Sequence, residues 1–542
     1  MDAPTKRQTA SATPQPRFDL IIRGGTVVDG TGAEPVRADV GVIDDQIGRV
    51  GDLREATAAD EIEARGLLIT PGFIDVHSHS DLTLLIDGRA QSAISQGVTT
   101  ELVGNCGHGC SPMGESPTFA ANIFGYDPSI PLNWRTTAEY LSRLEEANLA
   151  INAATLVPLG NLRLATMTDP EAVSRPAERS AMRALLAEGL EAGAFGFSSG
   201  LQYPDSVATS FEELVDLTRE VARRDRLYAA CVRYTDKRAV LGITEPIQTA
   251  ERTGARVQIS HAMPMPGSPS RMTERTFELV EKGRKSGVDV AFDMHTRSHG
   301  ELNISAMLPL WAVAGDTSDI ARRLANTGER TRIKEYPGYV RRFVENPGPE
   351  QMVIALTRDT RLVGRTLAEL TPADGDPMDT LLDILASEVD DIHRPLVLIN
   401  MYPEDDLAAF YQNPMCAIAS DATTLSPDGR LANAVFYGAY TWASWFMRRV
   451  VRERSSLPLP EAIRRVTSLP AQRIGLADRG AVRDGAKADL AVFDFDAVSD
   501  HGTLHSPNVL ATGAVHVLVN GVPAIRDSTI TAARTGRVLR SP

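Results

Sequence analysis

Ten histidines are spread over 542 residues, and several stand where an apolar run ends. His77 and His79 follow GFIDV, His261 follows RVQIS, and His295 follows VAFDM. The other run ends carry Cys106, Ser198 with Ser199, Cys231, Asp293 and Asp421. His77 and His79 are two apart, so on an extended strand end both imidazoles face one side, as two ligands of one metal must. Taken alone, a His-x-His pair is equally a polar strand terminus. The surrounding PGFIDVHSHSD, with thiol, imidazole and carboxylate at other run ends, favours ligation. Cys106 lies among glycines in GNCGHGC, where a thiolate can reach a metal unobstructed; its bland alternative is a small buried apolar residue. His261 has the alternative of a hydrogen-bonded strand end, and Asp421 that of a helix cap.

The chemistry this set suits is hydrolysis of an amide. Zinc lowers the pKa of bound water and polarises a carbonyl, and imidazole and thiolate are suitable zinc ligands. A carboxylate must take a proton from the water and return it to the leaving nitrogen, for which Asp421 is the best candidate. A positive or hydrogen-bonding group must steady the tetrahedral oxyanion.

These residues need elements to hold them. Eight apolar runs, LLITPGFIDVHSH, VTTELVGNC, INAATLVPLG, AFGFSSG, LYAACVRY, RVQISHA, VDVAFDM and CAIASD, read as strands. Between them lie helical stretches with a period near 3.6, such as FEELVDLTREVARR, with Ser210 and Glu213 placed as a capping box. Near-continuous apolar strands alternating with helices imply a parallel sheet covered on both faces. Eight of them predict an α/β fold, a (β/α)8 TIM-like barrel over 69–477, with reacting groups at the strand C-terminal ends; an open doubly wound sheet is the alternative. Residues 18–68 and 478–535 read as hairpins that pair into one small β-sandwich. Residues 1–17, polar and proline-bearing, predict a disordered tail on a cytoplasmic protein without a secretory signal. The stretch of about 300–415 has no matching strand rhythm and is expected to be an insertion serving as lid or substrate wall.

Bulk composition narrows the partners. A net charge of −14 argues against nucleic acid and anionic membranes, and no apolar run is long enough to span a bilayer. Four cysteines (Cys106, Cys110, Cys231 and Cys416) in so long a chain fit buried thiols or metal ligands better than disulfides.

The chain resembles the amidohydrolase superfamily and, within it, the N-acyl-D-amino-acid deacylases (D-aminoacylases). IIRGGTVVDGTG, TPGFIDVHSHSD, GNCG, GAFGFSSGLQYP, QISH, ASD before SPDGR, and SLPAQRIGLADRGAVRDGAKADLAVFD carry the resemblance from about 18 to 530. It implies metal ligation by His77, His79, Cys106 and His261, one or two zinc ions, and Asp421 as catalytic acid/base on an N-acylated small molecule. Three departures stand out. Cys231, in AACVRY, occupies the place of a family histidine, as a substitute ligand or a lost one. Met263 stands where a substrate-binding lysine is usual. DMHTRSHG replaces a tyrosine-bearing turn, so His295, Arg297 and His299 line the pocket differently. Arg297 and Arg430 are candidates for a substrate carboxylate, and His295 and Tyr203 join them as substrate-binding candidates. Hydrolysis of a cyclic amide, carbamate or lactone is the alternative activity, a non-catalytic barrel a more distant one, and homo-oligomerisation stays open.

Overall fold

All eight apolar runs become strands in the computed structural model, which describes residues 17–114, 123, 130–266, 268–336 and 338–542. Residues 1–16 of the expected tail lie outside the described residues. Six strands form one parallel sheet in the order Cys416–Ala419, Val290–His295, Arg256–Ile259, Leu227–Cys231, Gly196–Gly200 and Val157–Pro158. Three more, Phe73–Asp75, Val98–Val103 and Asn152–Thr155, form a second parallel sheet. Two joints connect the sheets. Phe195 N donates to Thr155 O at 2.8 Å, and a parallel bridge pairs Ser78 with Ala422. Around that bridge Asp421 N donates to His77 O at 2.9 Å and His79 N to Ala422 O at 2.8 Å.

The helices between strands bury one stripe each. In Phe211–Ala222, Leu214, Leu217, Thr218 and Val221 are buried at spacings of three and four, the face a sheet-packed helix must present. Ser210 caps it by accepting from Glu213 N at 3.2 Å, but the expected capping box forms only by half. The Glu213 carboxylate instead takes the buried Arg163 guanidinium at 2.6 Å, a demand stronger than a cap because neither group meets water.

The two ends of the chain meet in a nine-stranded mixed sheet. Its halves join where Leu68–Pro71 pairs antiparallel with Leu490–Phe493. The hairpin between Ala514–Val519 and Val522–Arg526 turns on Asn520 and Gly521, both at positive φ (49° and 84°), the conformation a two-residue turn needs.

The insertion does hold strands: His299–Asn303, Met352–Leu356 and Leu396–Asn400 form an antiparallel sheet. Each is five residues long with burial that does not alternate cleanly, so the rhythm of the parallel strands gave no template for them.

Candidate metal centre

The strand ends converge. One donor atom each from His77, Cys106, His261 and Asp421 lies within 4.8 Å of the other three. Cys106 Sγ is 3.2 Å from His77 Nε2 and 3.6 Å from His261 Nε2. Cys231 Sγ stands 3.6 Å from the same His261 nitrogen. Asp421 Oδ1 lies 3.3 Å from His77 Nε2 and 3.2 Å from His79 Nε2. Donors about 2.0–2.3 Å from one tetrahedral ion stand roughly 3.3–3.8 Å apart, so the spacing and the mixture of imidazole, thiolate and carboxylate both fit zinc.

Three members of this cluster hold their backbones in the left-handed region: Cys106 (φ 51°), His261 (φ 33°) and Asp421 (φ 44°). Such residues cost on the order of 1–3 kcal/mol each and persist where the surroundings over-determine them. Neighbouring contacts do so here. Gly200 lies so close that a Cβ on it would come within 1.9 Å of Cys106 O. Asp293 Oδ1 accepts from His261 N at 2.9 Å and contacts His77 Nδ1 at 3.1 Å, fixing which His77 nitrogen faces the cluster. Asp75 Oδ1 accepts from the backbone of His77 (3.2 Å) and Ser420 (3.0 Å), tying the first strand end to the last.

Charge is distributed unevenly among the donors. Burial opposes ionisation of Asp421, but His77, His79 and His261 beside it hold its carboxyl well below the usual range. Burial drives His79 down to about 4 despite its contact with Asp421. Cys106 and Cys231 share a hydrogen bond that lowers Cys231 well below an ordinary thiol and raises Cys106. Burial opposes a charge on His261, yet the Cys231 thiolate lifts it to about 10. All four cysteines are unbridged and buried.

A cavity of about 50 Å3 opens on the cluster, lined by His79, Cys106, Tyr203, His261, His295 and Asp421 on the strand side. From the insertion come Glu301, Leu302, Phe343, Met401 and Tyr402. Among the substrate candidates, His295 and Tyr203 therefore face the cluster. Arg297 is buried behind it, donating to Ser420 O and Asp421 O at 2.8 Å each. Arg430 is exposed and does not line this cavity. Met263 is buried and lines a neighbouring pocket. Asp75, Glu301, Phe343, Met401 and Tyr402 were not singled out from the sequence. Asp75, inside PGFIDVHSH, could have been noticed as a carboxylate two residues before His77, whereas the others lie in the insertion.

The family model described as "Amidohydrolase family" matches residues 60–299 and 414–525. The chain belongs to the amidohydrolase family. Within it, this amidohydrolase is 31% identical to N-acyl-D-glutamate deacylase of Alcaligenes xylosoxydans xylosoxydans over 97% of both chains. It is 30% identical to D-aminoacylase of the same organism over 96% of this chain and 97% of the relative. Among solved structures it is similar to N-acyl-D-glutamate deacylase from Bordetella bronchiseptica complexed with zinc and a phosphonate mimic of the tetrahedral intermediate. That match has a TM-score of 0.80 at 29% identity and covers 97% of this chain and 100% of the other. A D-aminoacylase with a binuclear metal centre matches with a TM-score of 0.78 at 28% identity, over 96% and 100%. No described helix is long and apolar enough to cross a membrane.

Proposed function

We propose that this amidohydrolase is a zinc-dependent deacylase of an N-acyl-D-amino acid or a related N-acylated amine. The observation that carries it is the convergence of His77, Cys106, His261 and Asp421 from four strand ends, a donor set of zinc type. The zinc-bound deacylase matched along nearly the whole chain supports it. His77, Cys106, His261 and Asp421 would hold an ion, with His79 and Cys231 beside them as further donors. Zinc there supplies Lewis acidity toward the amide carbonyl and lowers the pKa of water.

The chain's own groups do the rest. Asp421 reaches the cavity with its side chain 21% exposed and ionised, so it can receive the proton of the attacking water and return it to the leaving nitrogen. The Arg297 backbone N–H donates to His295 Nδ1 at 3.2 Å, which places the ring hydrogen of the neutral imidazole on Nε2. Burial keeps that ring neutral, and its N–H faces the cavity as a donor for the developing oxyanion. Arg297 positions rather than binds, gripping the two carbonyls beside the Asp421 side chain.

We also read the two parallel sheets as one (β/α)8 barrel with the terminal sheet folded as a sandwich, and the insertion as the outer wall of the pocket. The two joints between the sheets and the single sheet uniting both chain ends favour this reading. Activity and metal content test the function together. The purified protein is expected to carry zinc and to release free amino acid from N-acetyl-D-amino acids. Asp421→Asn lowers kcat by about 10²- to 10⁴-fold, and Cys231→Ala loses part of the zinc. A zinc-loaded wild type inactive on the whole N-acyl series would refute the reading.

A further inference from the structure

The cavity wall contributed by the insertion carries an acid that the mechanism does not use. Glu301 sits on the strand His299–Asn303, 7% exposed, and lines the cavity over the metal cluster. Its Oε2 accepts from Tyr437 N at 2.6 Å, and its Oε1 is buried with no hydrogen-bond partner. A buried polar atom left unpaired costs about 1–3 kcal/mol, and a residue that bears this cost on the wall of a pocket is placed to be satisfied by what enters.

The rest of the lining sharpens this. Among the described residues that line the cavity there is no Lys or Arg, only the imidazoles of His79, His261 and His295. Both terminal nitrogens of Arg297 are spent on backbone carbonyls. Two residues past His261 stands the apolar Met263. These imidazoles are already engaged by the metal cluster and the oxyanion, so they offer no positive charge to an acidic substrate side chain. A side-chain carboxylate in so small a space would face Glu301 and Asp421, and the Arg297 guanidinium behind them is already paired with Asp421, its Nη2 3.7 Å from Oδ2.

We propose that Glu301 is a specificity-determining residue: its free oxygen receives a hydrogen-bond donor, an amide, hydroxyl or ammonium, from the nitrogen-side substituent of the acylated substrate, and it rejects acidic side chains. The proposal rests on the deacylase reading and departs from the acidic side chain named for the N-acyl-D-glutamate relative. Burial pushes Glu301 up to about 8, with nearby Arg297 too weak an opposing influence to reverse it. Charge rejection of an acidic side chain therefore belongs to the ionised group, above about pH 8, whereas the protonated acid can itself donate to a carboxylate. The substrate pair below is compared at about pH 9, where Glu301 is ionised.

N-acetyl-D-glutamine and N-acetyl-D-glutamate form the decisive pair, since they have nearly one shape and differ in a donor amide against a carboxylate. On the zinc-loaded full chain, kcat/KM for the glutamine compound is expected to exceed that for the glutamate compound by about 100-fold or more. In E301Q, whose zinc content is measured alongside, the ratio falls below about 10, mainly through a lower KM for the glutamate compound. A wild-type ratio near one or inverted, or an unchanged ratio in E301Q, overturns the role of Glu301. N-acetyl-D-methionine reports separately on the deacylase reading, because it offers neither donor nor acid in its side chain. If it and the other two all resist hydrolysis, that reading falls. Calorimetric binding of the glutamine and glutamate compounds to wild type then decides Glu301 alone: tighter glutamine binding upholds it, and equal or tighter glutamate binding overturns it.

Discussion

Cys106, His261 and Asp421 each sit in a backbone conformation that side chains ordinarily avoid, and each is a donor of the cluster. The strain is held by close neighbours, so a neighbour with no chemistry of its own should control metal binding. A Cβ at Gly200 would meet the Cys106 carbonyl oxygen at 1.9 Å and its carbonyl carbon at 2.7 Å, and backbone has little room to move. Gly200→Ala is expected to cut zinc per chain to less than half of wild type, measured by elemental analysis. Gly300→Ala, whose Cβ would meet only the flexible end of Met401 at 2.3 Å, should keep its zinc. At this scale the site was largely legible in the sequence. Four of the residues named from the sequence, His77, Cys106, His261 and Asp421, are brought together, and His79 and Cys231 lie beside them. They could be named because a polar or metal-binding residue ending an apolar run is rare enough to notice. Asp293 was noticed at its strand end without its task of orienting His77 and His261. Nothing in the spacing could reveal that Arg297 is consumed by two carbonyls, since those partners lie 123 and 124 residues away.

At the scale of elements, the helix Tyr339–Glu345 brings Phe343 down onto the cavity. Arg342 on the same helix donates to Gln202 Oε1 at 2.7 Å and Thr235 Oγ1 at 3.3 Å, and lies 3.7 Å from Asp236 Oδ2. These contacts fasten the insertion to loops that follow two of the parallel strands. A cavity of about 50 Å3 is small beside the roughly 300–1,000 Å3 typical of small-molecule sites, and lifting of this helix on substrate entry is the expectation that the following variant tests. Arg342→Ala is expected to speed amide exchange across 341–346 several-fold and to lower kcat/KM about 10-fold, because closure excludes water from the reaction. Exchange and activity that match wild type would show the helix to be a fixed wall. The parallel strands were legible because both of their faces are covered and each reads as a continuous apolar run. The insertion was not. Its strands are no shorter than most of the parallel ones but pair antiparallel, and their burial follows neither a continuous apolar run nor a clean alternation.

At the scale of the molecule, buried acids lie beneath the centre. Burial and the nearby Asp75 push Glu101 up to about 8, and burial pushes Asp81 up to about 7. The unfolded chain releases the Glu101 proton near pH 4.3, whereas the folded chain keeps it. Between these values the folded state binds more protons, so this contribution to stability is whole below about pH 4 and is lost as pH rises toward 8. The unfolding midpoint should fall between pH 5.5 and 8, and Glu101→Gln should flatten the fall; an unchanged slope in the variant would assign the dependence to other groups.

The bridge that sets Asp421 beside the first two histidines joins Ser78 to Ala422, residues 344 apart in the chain. A ribosome adding about 5–20 residues per second exposes His77 and His79 on the order of tens of seconds before Asp421. The strand that leads to them, Leu68–Pro71, waits longer still for Leu490–Phe493. During synthesis the early donors are therefore an open, incomplete chelate until the strand Cys416–Ala419 and Asp421 have been made. A zinc ion that meets only His77 and His79 is expected to be held more weakly than one that meets the full donor set, so tight binding begins when Asp421 takes its place beside them.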